Sequence, residues 1–266
     1  MQDPKDVTNV EGALELIKES YWMLKDIPEK FKTAEVCLAA VQQSGTSLKH
    51  VPEALKTAEL CLAAIQSDGN ALEYVPNTLK TAEFCLAAVQ QRGAALKHVP
   101  EKLKTPALCL AAVQQRGDAL LFVPNKLKTQ ELCHMAIHND DSGGALSALP
   151  KECITPEFCL IAIRQNGSVL EYVPEKLKTP ELCLAAVQGR DGCWGGGLEY
   201  VPKKFITPDL CLAAVQDDQE GVELFHVPEK FKTLELCLAA VRASTDAIIY
   251  VPKKLQAEIK RAVGLK

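Results

Sequence analysis

Aromatic residues are scarce: Phe, Trp and Tyr together make up 5% of the 266 residues, and there are only 2 Trp and 3 Met. A core of such a chain is filled in thin layers by Ala, Leu, Val and Cys. No apolar run approaches the ~20 residues that a helix needs to cross a bilayer, so no membrane insertion is expected. Charge of one sign is also lacking: 30 Lys and Arg face 34 Asp and Glu, a formal net charge of −4. That balance argues against a protein built mainly to hold nucleic acid. The first residues, Met1-Gln2-Asp3-Pro4-Lys5-Asp6, are polar and show no apolar signal core.

Proline and cysteine, with 15 and 11 copies, are plentiful, and both follow one period. The Pro of a Val-Pro-type pair recurs at Pro28, Pro52, Pro76, Pro100, Pro124, Pro150, Pro174, Pro202, Pro228 and Pro252, mostly 24 residues apart. A threonine stands five residues after each of the first nine, from Thr33 to Thr233. Residues 1–26 hold a diverged capping repeat, with Asn9 in the Thr place and Ala13 in the Cys place. Residues 27–255 are consensus repeats and 256–266 a polar C-terminal cap, so the whole chain reads as one repeat domain.

Each threonine is placed to cap a helix. Pro106, Pro156, Pro180 and Pro208 follow at the first helical position, where a missing N–H costs nothing. The body, as in Leu108-Cys109-Leu110-Ala111-Ala112-Val113, is apolar all round and is expected to be buried on both sides. Gly45, Gly69, Gly93, Gly117 and Gly167 fall where a left-handed residue ends a helix. The rest of the unit has room for one or two turns, because Pro124 and its equivalents stop a longer second helix. The fold expected is all-α: a right-handed α-solenoid, or superhelix, of about ten 24-residue repeats. Each repeat combines a three-turn α-helix with a short 3₁₀ or single-turn helix.

The consensus Val-Pro-Glu-Lys-Leu-Lys-Thr-Pro-Glu-Leu-Cys-Leu-Ala-Ala-Val, as at 173–187, resembles a family of bacterial helical repeats of unassigned function. The resemblance supplies no catalytic residues. In period and helix lengths the unit is also similar to the leucine-rich repeat variant, a solenoid that alternates α and 3₁₀ helices; this implies a fold and nothing more.

Cys37, Cys61, Cys85, Cys109, Cys133, Cys159, Cys183, Cys211 and Cys237 share one helix position. Equivalent residues on stacked helices lie ~8–10 Å apart, too far for a disulfide. A single file with no CxxC pair makes no zinc site. Packing is the expected role, with Cys153 in the core as well. Many unpaired thiols suit a reducing, cytoplasmic setting. Cys193 alone is off pattern, in a loop, and is the thiol expected to react. His134 and His138 stand four apart on one helix but lack a third ligand. Nothing converges as acid, base and nucleophile, so no catalysis, metal or cofactor is expected.

Function is therefore sought where the repeats disagree. One column on the short segment reads Lys49, Glu73, Lys97, Leu121, Ser147, Glu171, Glu199, Phe225 and Ile249. It changes charge and polarity from unit to unit. On the inner, concave side of a solenoid it would line a groove for a protein or peptide, with Leu121, Phe225 and Ile249 as apolar anchors. The next column, His50, Tyr74, His98, Phe122, Ala148, Tyr172, Tyr200, His226 and Tyr250, reads as half-buried aromatic places. Extra residues enter three units after the long helix, at 138–144, 189–197 and 217–220; the second carries Trp194, a candidate contact on a protruding loop. Asp140 and Asp141 could attract a cation, although their spacing is not that of a Ca²⁺ loop. The acidic 217–220 insertion reads as solvated.

The expected function is a non-catalytic scaffold for a protein or peptide, present as a monomer or weak oligomer. Two alternatives stand beside it. Lys32, Lys56, Lys80, Lys104, Lys128, Lys178 and Lys232 precede the capping threonines and could meet phosphates of a nucleic acid. Glu29, Glu53, Glu101, Glu175 and Glu229, three residues earlier, favour instead a solvated edge of mixed charge. The other alternative is a purely structural spacer.

Overall fold

The long helix of each of the nine consensus repeats from Thr33 to Thr233 starts at its threonine. In this computed structural model residues 3–140, 142–188, 197–216 and 218–265 are described, and no strand occurs among the described residues. Thr33 Oγ1 accepts the N–H of Val36 at 3.4 Å. Thr57, Thr81, Thr105, Thr129, Thr155, Thr179, Thr207 and Thr233 repeat this bond at 3.2–3.3 Å. Asn9 Oδ1 does the same for Gly12 N–H at 2.8 Å, so the diverged first unit keeps the phase of the others. Each such bond satisfies one of the free N–H groups of the first turn, worth about 1 kcal/mol.

The helices, such as Ala34–Gln43 and Pro106–Gln115, are followed by two further helical pieces. Six-residue 3₁₀ helices come first (Gly45–His50, Gly69–Tyr74, Gly93–His98, Gly117–Phe122, Gly167–Tyr172). A Val-Pro step then leads into a three-residue 3₁₀ turn, as at Glu29–Phe31 and Glu101–Leu103. The short segment is thus two elements. Proline has no N–H to continue a helix and forces an extended conformation on the residue before it, so it divides the segment.

The repeat glycines are not left-handed. Positive φ is confined, among the described residues, to Gly143, Gly221 and Gly264. The long helices end instead on one extended residue, such as Ser44 or Asp68, both with φ −151°. The glycine that follows is needed for close approach. A Cβ built on Gly45 would fall on the carbonyl oxygen of Ala64 in the next repeat, and Gly69, Gly93 and Gly167 meet Ala88, Ala112 and Ala186 in the same way.

The chain divides into two compact units, Met1–Asn139 and Asp140–Lys266. In the first, helices Val10–Glu19, Ala34–Gln43, Ala58–Ser67, Ala82–Gln91, Pro106–Gln115 and Gln130–His138 each pack on the next. The 3₁₀ segments form a second layer beside them. In the second, Pro156–Gln165, Pro180–Val187, Pro208–Gln216, Leu234–Ala243 and Lys253–Val263 stack likewise. Within both units the core is a set of columns. Cys109, Ala112 and Val113 of the α-helix and Ala119 and Leu120 of the 3₁₀ layer are completely buried, as are most of their equivalents. A buried Leu or Val contributes ~1.5–3 kcal/mol.

The helices are not buried all round, as the apolar pattern led one to expect. Leu38, Leu86, Leu110 and Leu184, the residues after the column cysteines, are exposed. Within each unit, neighbouring helices flank an inner helix on two sides and the 3₁₀ layer covers a third; the fourth faces solvent.

The insertions at 138–144 and 217–220 share one device that the sequence reading missed. Asp140, only 4% exposed, accepts the N–H groups of Ser142 and Ala145 at 3.0 and 2.5 Å. Asp218, 5% exposed, accepts those of Gly221 and Glu223 at 2.9 and 2.7 Å. In both, a glycine three residues on, Gly143 or Gly221, has φ of 78° or 75°. The following segment becomes a short α-helix, Gly144–Ala148 or Glu223–His226. Asp140 is therefore occupied by backbone donors, and the 217–220 insertion is anchored by a buried Asp218 rather than merely solvated. The shared Asp-x-x-Gly spacing is the signal that could have revealed it.

Candidate partner-binding surface

The variable column is exposed at every one of its nine positions: Lys49, Glu73, Lys97, Leu121, Ser147, Glu171, Glu199, Phe225 and Ile249. These residues sit in the short helical layer, most of them just after a completely buried position, such as Leu120 in the unit that carries Leu121. A 3₁₀ turn sends successive side chains in different directions, so a buried residue alternates with an exposed one. The three apolar members are left in water, Leu121 at 50%, Phe225 at 62% and Ile249 at 69% exposure.

The residue after it is an aromatic shelf. Tyr74, Phe122, Tyr200, Tyr250 and the three histidines His50, His98 and His226 are half-buried, Ala148 is buried and Tyr172 is exposed. Burial, followed by the neighbouring lysines Lys49 and Lys97, pushes the imidazoles of His50 and His98 below the ordinary histidine range. They are half-buried rings in aromatic places. His98 Nε2 stands 3.7 Å from Glu73, beyond hydrogen-bond reach.

Within Met1–Asn139 the ladder alternates in charge: Lys49, Glu73, Lys97, then Leu121. Within Asp140–Lys266 it segregates. Glu171 and Glu199 both act on Tyr200, whose hydroxyl bonds Glu199; burial first, then these carboxylates, raise its pKa. Phe225 packs against the rings of His226 and Tyr250, with centroids 5.1 and 5.4 Å apart. An acidic pair is thus followed by an apolar patch that includes Ile249.

The lysines before the threonines do not form a solvated edge. Lys32, Lys56, Lys104, Lys178 and Lys232 have side chains only 7% exposed, and their ammonium groups meet Glu29, Glu53, Glu101, Glu175 and Glu229 at 2.5–2.8 Å. Lys104, Lys178 and Lys232 also donate to the carbonyls of Phe122, Tyr200 and Tyr250, at 2.9, 3.2 and 3.4 Å. The aliphatic stem is buried and the charge braces the shelf from beneath. The sequence carries a sign of this brace. Where Ile154 and Ile206 replace the lysine, Lys151 and Lys203 replace the glutamate; where Asn77 and Asn125 replace the acid, Lys80 and Lys128 remain.

The nine column cysteines are buried. Burial raises the thiol pKa of Cys61, Cys85, Cys109 and Cys237, and raises it to about 11 at Cys37, Cys159, Cys183 and Cys211. Cys153 is half-buried rather than core, because its three-residue turn lies at the surface. His134 and His138 are exposed, with ring centroids 4.5 Å apart. Among the described residues no three His, Cys, Asp or Glu side chains converge to hold a metal ion, and no helix is long and apolar enough to cross a membrane. Asp141, Cys193 and Trp194 lie outside the described residues.

Two features at one end of the second unit were not foreseen. Glu223 is 3% exposed and occupies the place of the small residues Ala71, Ala95 and Ala119. Burial, then the charge of Asp218, pushes its carboxyl up to about 7, and the N–H groups of Leu198 and Gly197 hold it in part. A pocket of about 440 Å³ lies between the 198–206 and 226–231 segments.

No curated protein and no solved structure matches this chain. One family model does, over residues 9–56, 58–104, 81–128 and 155–206, each match spanning about two repeats and the first including the diverged unit. Together these matches cover more than half of the sequence, and the chain belongs to the family described as a domain of unknown function, DUF4116.

Proposed function

We propose that the chain is a non-catalytic scaffold that binds a protein or peptide along the exposed ladder of its 3₁₀ layer. The observation that carries this reading is the exposure of Leu121, Phe225 and Ile249 at 50–69%, in a column whose flanking positions are buried or half-buried in nearly every unit. Exposed apolar side chains on a rigid, repeat-spaced frame are what interfaces use as anchors. In the second unit the order Glu171, Glu199, Phe225, Ile249 fits an extended segment that presents cations and then apolar side chains. Repeats ~8–10 Å apart and an extended chain rising ~3.3 Å per residue place such contacts at every third residue of the ligand. The phosphate-binding alternative is less favoured, because five of its seven lysines, Lys32, Lys56, Lys104, Lys178 and Lys232, are bonded to glutamates.

The reading is tested by panning a random peptide library against the immobilised protein. The comparison is a variant carrying Leu121→Asp, Phe225→Asp and Ile249→Asp, with its helicity checked by circular dichroism. Sequences that bind the wild type and lose binding to the folded variant support the ladder. No enrichment, or equal recovery on both proteins, rejects it.

A further inference from the structure

The pocket in the second unit lies where the repeat has lost its own brace. Five turns carry a glutamate–lysine pair, and Lys104, Lys178 and Lys232 among them also reach a shelf carbonyl. In the turn Lys203–Phe205 the acid is replaced by Lys203 and the brace lysine by Ile206. Lys178 reaches the carbonyl of Tyr200; Ile206, at the matching position, brings no ammonium towards His226. The space beside it is the pocket of about 440 Å³, to which both Ile206 and His226 contribute. That volume falls within the ~300–1,000 Å³ of small-molecule sites.

Its lining combines apolar and cationic residues. Val201, Ile206 and Phe231 supply aliphatic and aromatic surface. Lys203 and Lys230 contribute two ammonium groups, against the single carboxylate of Glu199. Lys230 Nζ is held 4.6 Å from the centroid of the Phe231 ring, so a cation and an aromatic face already stand together at one wall. A cationic ligand would meet two like charges. A bare inorganic anion would leave the apolar wall unused.

We infer that this pocket binds a small aryl carboxylate, its ring against Ile206, Val201 and Phe231 and its carboxylate between Lys203 and Lys230. The pocket shares Glu199 with the ladder, but the inference does not require that a peptide bind there.

The test is calorimetric titration of the full chain with 2-naphthoate, with 2-naphthylmethylamine and inorganic phosphate as comparisons. Naphthoate is expected to bind with Kd on the order of 1 mM or tighter, at least about tenfold tighter than either comparison compound, given the two ammonium groups. A second protein carries Lys203→Glu with Ile206→Lys, which rebuilds the brace that five other turns hold; naphthoate binding is expected to fall at least about tenfold. The same exchange at Lys151 and Ile154 leaves it unchanged. If the rebuilt protein does not fold, the exposed substitution Lys230→Glu is the readout, with the same loss expected. Absence of naphthoate binding, equal binding of the amine or of phosphate, or undiminished binding by the folded rebuilt protein or by Lys230→Glu would overturn the assignment.

Discussion

Glu223 accepts the backbone N–H of Gly197, and the two residues occupy the same repeat position in successive units. That position holds Ala71, Ala95, Ala119 and Ala247 elsewhere, all completely buried. A residue with no side chain in one unit faces the long buried carboxyl of the next. The oxygen Oε2 of Glu223 has no hydrogen-bond partner among the described residues, so ionising this group is costly.

Stability should therefore fall with pH in a window set by Glu223. Its folded pKa of about 7 lies above the ordinary 4.5. Below about 4.5 the carboxyl is protonated in both states and its contribution is fully present. As pH rises through 7 the folded protein must ionise a buried group, and about 3 kcal/mol is lost by pH 8. Glu223→Gln should remove this loss. Urea unfolding of both proteins at pH 5 and pH 8 checks it: a stability difference that does not widen towards pH 8 contradicts the assignment.

The brace should be asymmetric. Lys104→Ala leaves the Phe122 carbonyl without its ammonium donor and should cost ~1–3 kcal/mol. Glu101→Ala removes a carboxylate that is 75% exposed and should cost under ~1 kcal/mol. Equal losses in denaturant titrations would show that the ion pair, rather than the bond to the carbonyl, does the bracing.

The column thiols should be silent until the chain unfolds. Burial raises their pKa and shields them from reagent. Timed alkylation with residue-level mass spectrometry should label Cys153 well before Cys37, Cys61, Cys85 and Cys109. Rapid labelling of these four in the native protein would contradict the packing.

Gly69→Ala should destabilise by ~1–3 kcal/mol, although the φ of Gly69 is not positive. The added methyl would overlap the Ala88 carbonyl oxygen. At Gly264, where φ is 74° but nothing lies within 4 Å, the same substitution should cost ~1 kcal/mol of left-handed strain. Thermal melts that rank the two in the opposite order would favour backbone conformation over close approach as the role of the repeat glycine.

The threonine caps and the cysteine packing were legible because each is local or repeated. Thr105 needs only the N–H three residues on, and nine cysteines at one position announce one environment. The split of the short segment into two 3₁₀ pieces was half legible in Pro124 and its equivalents. The roles of Gly45, Lys104 and Asp218 were not read. Gly45 answers to a carbonyl in the next helix and Lys104 to one eighteen residues away. Asp218 is a buried cap that passes in a string of acids for a solvated loop residue.

The sequence by itself determined the helical class, the period, the caps and which column varies, since these depend on hydrogen bonds and periodicities a few residues long. Tertiary structure decided which apolar face stays in water, why the glycines are there, that the lysines are braces, and where a brace is missing. Those properties arise only when one repeat is laid against the next, because burial and close approach are relations between neighbours some twenty residues apart and not of any segment alone.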